Sequence, residues 1–245
     1  MIFPPRVGED PMTELLHLED SYLREFDACV VAQRGQAVVL DRTAFYPGGG
    51  GQPPDIGWLR WPGGETRVVD MKREGDTVWH ILEDPVPPVS QDVRGAVNWE
   101  RRYAIMRQHS ALHVLVGTVY HLYRALVTGV AIYPDHARMD FTLEDLSRDR
   151  VAAIEAGTNR VIQEGRRILV RWMSREEFDC ADLVRLAKNL VPPDLQQIRV
   201  IEIENFDAQA DGGTHVANTR EIGRLVITKT ENKGKTNRRL EIALV

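Results

Sequence analysis

The sequence predicts one long helix, from Asn98 to about Leu126, with a single face buried along its whole length. Asn98 is a favourable N-cap residue, and apolar or histidine side chains then recur at steps of three and four, which is the period of a buried helix face. The stripe consists of Ile105, His109, Leu112, Val116, Val119, Tyr123 and Leu126. This helix is therefore expected to pack in the interior of a folded domain.

Two histidines of this helix, His109 and His113, lie four residues apart, so their side chains are neighbours on one helix face and can share a metal ion. Taken alone, such a pair is more often structural than metal-binding. A second pair with the same spacing, Asp211 and His215, follows far downstream around Gly212-Gly213. If the two pairs meet, three imidazoles and one carboxylate form a donor set that suits zinc.

The composition is that of a soluble globular protein with room for two domains: 245 residues, 43% hydrophobic and 27% charged. No apolar run is long enough to span a membrane, and the N-terminus lacks the pattern of a signal peptide. The two cysteines, Cys29 and Cys180, cannot build a disulfide framework, so a cytoplasmic location is expected; Cys180 is expected to be buried in a helix. A net charge of −5 requires any contact with nucleic acid to come from a local basic patch.

Residues 26–97 are predicted to be rich in strands, because short β-branched runs alternate there with turn residues. Strands at this spacing favour a small barrel or sandwich. Within this region Gly48–Gly51 are four consecutive glycines, which neither a helix nor a strand tolerates. The three prolines of Asp84–Ser90 predict the boundary between a domain of residues 1–90, with a flexible leader at 1–11, and a domain of residues 91–245. In the second domain, helices are predicted at Ser147–Gly165 and after Ser174, which forms a capping box with Glu177.

His109, His113 and the segment Gly212–Gly223 (Gly-Gly-Thr-His-Val-Ala-Asn-Thr-Arg-Glu-Ile-Gly) resemble the editing domain of alanyl-tRNA synthetase. The resemblance is closer still to its free-standing relatives, the alanyl-tRNA editing proteins of the AlaX group. Further segments resemble the family in the family order, namely Leu15–Phe26, Thr43–Gln52, Arg102–Leu115, Arg199–Phe206 and Lys233–Arg239. The resemblance thus covers most of the chain from Met12 onward and indicates the medium-length, free-standing subgroup. It implies an α+β fold, in which a small N-terminal β-barrel precedes an α/β sandwich-type domain like the editing domain of threonyl- and alanyl-tRNA synthetases.

The activity implied by the resemblance is trans-editing, in which the ester of tRNA(Ala) mischarged with serine is hydrolysed. Glycine is a further candidate for the amino acid removed. The implied enzyme is an aminoacyl-tRNA deacylase, a carboxylic ester hydrolase, with one zinc ion per chain on His109, His113, Asp211 and His215. The implied partner is mischarged tRNA(Ala), with no membrane involved, and a monomer is slightly favoured. No nucleotide-binding motif is visible, so the chain is not expected to charge tRNA.

Asp211 departs from the family pattern, which has Cys-Gly-Gly-Thr-His where this chain has Asp-Gly-Gly-Thr-His. A carboxylate can bind zinc but is a harder ligand than a thiolate, so one hypothesis is a weaker or less selective metal site. A second hypothesis has Asp211 stand back from the metal as a catalytic residue and leave a position for water. The remaining alternative is a decayed metal site.

The glycine-rich segment is flanked by Thr43 and Gln52, which by resemblance lie near the aminoacyl group. Thr43 is expected to contact the serine hydroxyl, and Gln52 to hold the terminal ribose or the ester carbonyl. Gly49, Gly50 and Gly51 are expected to line the substrate site. The alternative for Thr43 and Gln52 is ordinary turn polarity.

A basic cluster near the C-terminus, together with Arg107 of the long helix, is the predicted surface for the phosphates of the tRNA acceptor stem. Its members are Lys229, Lys233, Lys235, Arg238 and Arg239, and Arg101 and Arg102 are expected to add to the surface beside Arg107. The alternative is a solvated hairpin with no ligand. Two other functions stay open: a catalytically impaired tRNA-binding protein, and a metal-dependent hydrolase of another ester or amide.

Overall fold

The computed structural model describes residues 11–245, and this part of the chain forms fifteen strands, three α-helices and two short 3₁₀ segments. The first eight strands are β1 (Glu14–Leu15), β2 (Glu25–Arg34), β3 (Ala37–Leu40), β4 (Arg42–Thr43), β5 (Gly57–Trp61), β6 (Gly64–Glu74), β7 (Thr77–Leu82) and β8 (Asp92–Val97). The other strands are β9 (Val127–Ile132), β10 (Ala137–Phe141), β11 (Ile168–Ser174), β12 (Gln197–Ile203), β13 (Asp207–Ala210), β14 (Leu225–Gly234) and β15 (Asn237–Leu244). The helices are α1 (Trp99–Tyr123), α2 (Arg148–Glu164) and α3 (Arg175–Cys180). The flexible leader predicted at 1–11 lies, apart from Pro11, outside the described residues.

The chain divides into two compact units, of which the first runs to Gly49 and resumes over Pro53–Arg102. Six of its strands close a barrel in the order β2-β3-β7-β6-β5-β8. The barrel interior is filled by buried apolar side chains such as Val30, Leu40 and Leu59, which follow from the alternating pattern of the strands. The predicted α+β fold with an N-terminal barrel is confirmed.

The first unit continues past residue 90, where the prolines suggest a boundary. The prolines precede the last barrel strand, β8, which pairs with both β2 and β5 and so closes the barrel. The unit also includes the first turn of α1, because Arg102 is completely buried against Asp55. The Nε atom of Arg102 lies 2.9 Å from each carboxylate oxygen of Asp55, and its two Nη atoms donate to the carbonyl oxygens of Ser21 and Ala44.

The second unit comprises Gly50–Gln52 and Tyr103–Val245 and contains two antiparallel sheets. One sheet has the order β14-β15-β10-β9 and the other the order β11-β12-β13. Helix α2 has the predicted ends, with Ser147 as N-cap and Gly165 in the left-handed conformation as C-cap. The predicted capping box of Ser174 and Glu177 is present in α3, but Cys180 is exposed, because α3 ends at this residue. Within the described residues, no helix combines the length and apolar character needed to cross a membrane.

Helix α1 lies along β13, which positions its histidines. The side chain of Gln209 in β13 donates to the carbonyl oxygen of His113. One helical turn further on, Gly117 leaves so little space that a Cβ atom there would lie 3.0 Å from the Cβ atom of Asp207. His109 is one turn back from His113, so the helix directs it towards the loop that follows β13 at Asp211.

Candidate metal centre

Four side chains converge in the second unit: His109 and His113 from α1, and Asp211 and His215 from the loop after β13. One potential ligand atom from each lies within 4.8 Å of every other. The Oδ2 atom of Asp211 is 3.5 Å from Nε2 of His109 and 3.9 Å from Nε2 of His113, and its Oδ1 atom is 3.1 Å from Nε2 of His215. The two sequence pairs therefore meet.

The donor set and its spacing fit a tetrahedral zinc ion. With bonds near 2.0–2.2 Å, the ligand atoms of such a site are about 3.3–3.6 Å apart. Here Oδ2 of Asp211 lies 3.5 and 3.9 Å from the two helix histidines, and all four ligand atoms lie within 4.8 Å of one another. Three imidazoles favour zinc or another late transition metal over magnesium or calcium. The cluster can thus hold a divalent metal ion after only small movements of its side chains.

The protonation states of the cluster suit metal binding. Burial lowers the pKa of His113 to about 3, against the opposing charge of Asp211. Burial, together with the two neighbouring imidazoles, also places the pKa of His215 well below its usual value. For Asp211, burial raises the pKa, but the charges and hydrogen bonds of His109 and His215 outweigh it, so the pKa lies well below the ordinary value. Neutral imidazoles and an ionised carboxylate are the forms that coordinate a cation.

Gln52 holds His109 in the orientation that a metal ligand needs. Its Oε1 atom lies 2.8 Å from Nδ1 of His109 and also accepts the backbone N–H of Thr214. Since an amide oxygen only accepts hydrogen bonds, Nδ1 of His109 carries a proton, and Nε2 is the ring atom that faces Asp211. The amide nitrogen of Gln52 donates to the hydroxyl of Thr214 at 3.0 Å. Such outer contacts fix the tautomer and ring orientation of metal-binding histidines.

The two glycines of the loop differ in the space that surrounds them. A Cβ atom on Gly213 would lie 2.5 Å from Oε1 of Gln52 and 2.5 Å from Cε1 of His109. A Cβ atom on Gly212 would have no neighbour within 4 Å. Gly213 is therefore the residue whose missing side chain lets the loop pass against His109 and Gln52.

The backbone of the loop and its second histidine are each held by a polar side chain. Arg199 in β12 donates from Nη1 to the carbonyl oxygens of Asp211, at 2.8 Å, and Gly213, at 3.0 Å. The Oδ1 atom of Asp211 accepts the N–H of Gly213 at 2.5 Å, which leaves Oδ2 directed at the helix histidines. On the helix side, Oγ of Ser110 lies 3.2 Å from Nδ1 of His215.

Sequence reasoning assigned no role to Arg199 or Ser110. Ser110 lies directly after His109 at a position with no exposed surface, and Arg199 alternates with apolar residues in a buried strand. In the sequence, each of them is recognisable only as a polar residue among positions expected to be buried. The role of such a residue depends on the hydrogen-bond partners that the fold brings to it.

Thr43 lies in the first unit and is fully buried. Its hydroxyl is 2.9 Å from Nε2 of His80 and accepts the N–H of Phe45. Burial lowers the pKa of His80 to about 4, so this imidazole is neutral at pH 7. The hydroxyl that the resemblance assigns to serine recognition is thus already hydrogen-bonded within the barrel unit.

The predicted glycine segment has the left-handed backbone conformation that glycine favours, with φ of +132° at Gly49, +55° at Gly50 and +85° at Gly51. Gly49 belongs to the first unit, and Gly50–Gln52 belong to the second. The carbonyl oxygen of Gly51 accepts the N–H of Ile132, and a Cβ atom on Gly51 would lie 2.7 Å from Val130. In the second unit, the segment thus packs on β9 and delivers Gln52 to the metal centre.

The predicted phosphate-binding residues fall into two groups. The expectation for Arg102 is wrong, because this side chain is fully buried in its ion pair with Asp55, and three further arginines donate to the chain itself. Arg107 binds the carbonyl oxygens of Glu221 and Ile222, Arg238 binds backbone carbonyl oxygens that include that of Lys235, and Arg239 forms a two-pronged ion pair with Asp140. The two lysines are more accessible: Lys233 has only a 3.4 Å contact with Glu231, and Lys235 is exposed at the β14–β15 turn.

Three groups of known proteins are similar to this chain. Residues 198–241 match the family described as the threonyl and alanyl tRNA synthetase second additional domain, and residues 13–101 match that of tRNA synthetases class II (A). The alanyl-tRNA editing protein AlaX-M of Saccharolobus solfataricus is 39% identical over 232 residues, which cover 94% of this chain and 98% of that protein. AlaX-M of Methanosarcina acetivorans is 39% identical, with 96% and 100% covered. The alanine–tRNA ligase of Pyrobaculum neutrophilum is also 39% identical, over 92% of this chain but only 26% of the ligase.

Proposed function

The chain belongs to the alanyl-tRNA editing proteins of the AlaX-M type, and from this membership we propose that it is a trans-editing hydrolase. Its proposed substrate is tRNA(Ala) mischarged with serine, with Gly-tRNA(Ala) as a second candidate, and its proposed cofactor is one zinc ion. The observation that carries the proposal is the convergence of three imidazoles and one carboxylate, whose ligand atoms all lie within 4.8 Å of one another. We place the reaction in the cytoplasm.

In this proposal His109, His113, Asp211 and His215 hold the metal. When bound, zinc supplies a Lewis acid that can polarise an ester carbonyl or lower the pKa of a water molecule. We assign Asp211 to the metal, because its Oδ2 atom faces the Nε2 atoms of both helix histidines and its Oδ1 atom lies 3.1 Å from Nε2 of His215. The Asp211 side chain retains 19% exposure, which leaves an approach for the substrate from solvent.

Gln52 acts, in this proposal, through His109. Both polar atoms of its amide are already bonded, to His109 and Thr214, and only 3% of its surface is exposed. We therefore propose Gln52 as a positioning residue. Recognition of the serine hydroxyl by Thr43 remains a proposal that requires Thr43 to exchange its hydrogen bond with His80.

For tRNA binding we propose Lys233 and Lys235 as the phosphate contacts. Arg107, Arg238 and Arg239 contribute by holding the local backbone and strands in place, since their guanidinium groups are bonded within the chain. Binding through lysine–phosphate contacts is expected to weaken steeply with salt.

The deciding experiment incubates the zinc-loaded protein with Ser-tRNA(Ala), Gly-tRNA(Ala) and Ala-tRNA(Ala), with and without a chelator. Release of serine but not alanine, abolished by the chelator and restored by zinc, is the expected result. His215→Ala is the matched variant, because it removes one donor and leaves the rest of the chain unchanged. Binding of tRNA(Ala) without release of any amino acid would instead indicate a catalytically impaired binding protein. Neither binding nor release would indicate a hydrolase of another ester or amide.

A further inference from the structure

An exposed tryptophan lies beside the metal centre in the sheet β11-β12-β13. Trp172 in the edge strand β11 is opposite Arg199 in β12. The next residue across the sheet is Asp211, whose N–H donates to the carbonyl oxygen of Arg199 at 3.2 Å. Trp172, Arg199 and Asp211 therefore form one row across three chain segments. Two strand spacings place the Cα atoms of Trp172 and Asp211 about 10 Å apart.

The side chain of Trp172 is on the face of the sheet that carries the metal-binding loop. Directly opposed residues point to the same face, and the side chain of Arg199 reaches the carbonyl oxygens of Asp211 and Gly213 in that loop. Val170, two residues before Trp172, points to this face as well and is opposite Ile201.

This part of the face is open because α1 covers the opposite edge of the sheet, where Gln209 contacts His113. Arg199 and Ile201 in the middle strand are 5% and 1% exposed, whereas Trp172 and Val170 in β11 are 44% and 40% exposed. Tryptophan is on average strongly buried in folded proteins. The indole and isopropyl groups thus form an apolar shelf, defined here as Val170 and Trp172, next to the metal centre.

We propose that this shelf binds the adenine ring of the 3′-terminal nucleotide of the tRNA substrate, with Trp172 stacked on the base. The inference rests on the proposed function and extends it to a named subsite. Only the terminal ribose separates the scissile ester from the adenine, so a base about one nucleoside away from the metal ligands falls at the shelf. Aromatic side chains that stack on unpaired bases are the usual means by which proteins hold single-stranded RNA ends.

The first test compares kinetics of serine release from Ser-tRNA(Ala) by Trp172→Ala, Trp172→Phe and the wild-type protein. Loss of one base–aromatic stack predicts an increase in KM of about 10-fold for Trp172→Ala, with kcat and zinc affinity unchanged. Trp172→Phe retains a stacking ring and should stay within a factor of about two or three. Leu190→Ala is the matched control, since Leu190 is apolar and 65% exposed but lies outside the row.

The second test uses a substrate whose terminal nucleotide carries the same seryl ester but lacks the base. The wild-type protein should lose about the same 10-fold on this substrate, and Trp172→Ala should cause no additional loss, because the contact has already been removed. Equal losses from Trp172→Ala on both substrates, or none on either, would overturn the inference. So would self-association of the wild-type protein in light scattering that Trp172→Ala abolishes with KM unchanged, which would make the shelf a protein contact.

Binding of uncharged tRNA(Ala), measured against tRNA lacking the terminal base, separates the two proposals. If the wild-type protein hydrolyses no ester but still loses affinity when the base or the indole is removed, the proposed function fails and the adenine subsite stands. If serine is released while neither removal has an effect, the proposed function stands and the subsite fails.

Discussion

Two carboxylates, one in each unit, show how differently the same group is used. Asp55 in the barrel unit is 2% exposed and is paired with Arg102, and its Oδ2 atom also accepts the N–H of Tyr46 at 2.6 Å. Asp211 in the second unit is 19% exposed, and its ion-pair partners among the described residues are three imidazoles. Of these, His113 and His215 have strongly lowered pKa values.

The difference indicates at which of the two carboxylates a further ligand is expected to bind. A guanidinium with five donors neutralises Asp55 and binds two backbone carbonyl oxygens as well, so that site is complete within the chain. At the second site the imidazoles of His113 and His215, whose pKa values are strongly lowered, are neutral at pH 7 and present lone pairs instead of donors. We therefore expect a cation at the second site and none at the first.

Breaking the ion pair between Arg102 and Asp55 should have the largest effect on stability. Arg102→Met leaves the buried charge of Asp55 without a partner and should lower the free energy of unfolding by about 3–5 kcal/mol, measured by urea denaturation. The double variant Arg102→Met with Asp55→Leu should recover part of this loss, because it removes the unpaired charge. If the double variant is no more stable than the single one, the charge of Asp55 is not what the arginine compensates.

Replacing Asp211 should change the metal affinity rather than the free energy of unfolding. Asp211→Ala should weaken zinc binding by about 100-fold, equivalent to about 2.7 kcal/mol, in a competition titration with a chromogenic chelator. Asp211→Cys restores the ligand type of the related family and should bind zinc at least as tightly as the wild-type protein. Unchanged affinity in both variants would show that Asp211 is not a ligand.

The two loop glycines offer a matched pair of variants. Gly213→Ala places a methyl group against Gln52 and His109 and should weaken zinc binding by about 10- to 100-fold, the effect of disturbing an outer contact of a metal ligand. Gly212→Ala meets open space and should bind zinc as the wild-type protein does. An equal loss in both variants would point to general loosening of the loop instead of contact with His109.

Acid should destabilise the barrel unit through His80, independently of metal. Burial lowers the pKa of His80 to about 4 in the folded protein, below the value of about 6.5 in the unfolded chain. The unfolded state therefore gains a proton first, and stability that is present above pH 6.5 is lost as the pH falls towards 4. We expect a loss of roughly 1–2 kcal/mol between pH 7 and pH 5, measured by urea denaturation in the presence of a chelator. His80→Gln should make this loss smaller; an unchanged pH profile would show that His80 does not cause it.

In the basic cluster the arginines are bonded within the chain, whereas the lysines are accessible to a ligand. Substitutions in this cluster are expected to have the smallest effects of the set. Lys233→Ala and Lys235→Ala should each weaken tRNA(Ala) binding severalfold and reduce the slope of log K against log salt by about one. Arg239→Gln is the contrasting variant: it breaks the ion pair with Asp140, so it should lower stability while leaving the salt slope unchanged. A smaller slope in Arg239→Gln would move this arginine into the phosphate-binding set.

The parts of the site that were predictable are those carried by local spacing. His109 and His113 were accessible because helical periodicity alone puts residues four apart on one face. The alternation of short strands favoured a barrel or a sandwich, of which the family resemblance indicated the barrel, and the ends of α2 and α3 followed from their capping residues. The roles of Gln52 and Arg199 were not accessible in this way: Gln52 bonds to His109 across 57 positions, and a sequence pattern does not report contacts of that range.

The sequence by itself determined the main elements, the candidate ligand pairs and the family, because periodicity, capping and motif order are properties of short segments. Only the tertiary structure decided which of the two loop glycines contacts Gln52 and His109. It also decided which basic side chains stay accessible to a ligand and which carboxylate has no arginine partner. These outcomes depend on long-range packing, where a buried polar atom must take whatever partner the fold brings within hydrogen-bond distance. For Asp55 that partner is Arg102, whereas Asp211 meets three imidazoles whose ligand atoms lie within 4.8 Å of its own and of one another.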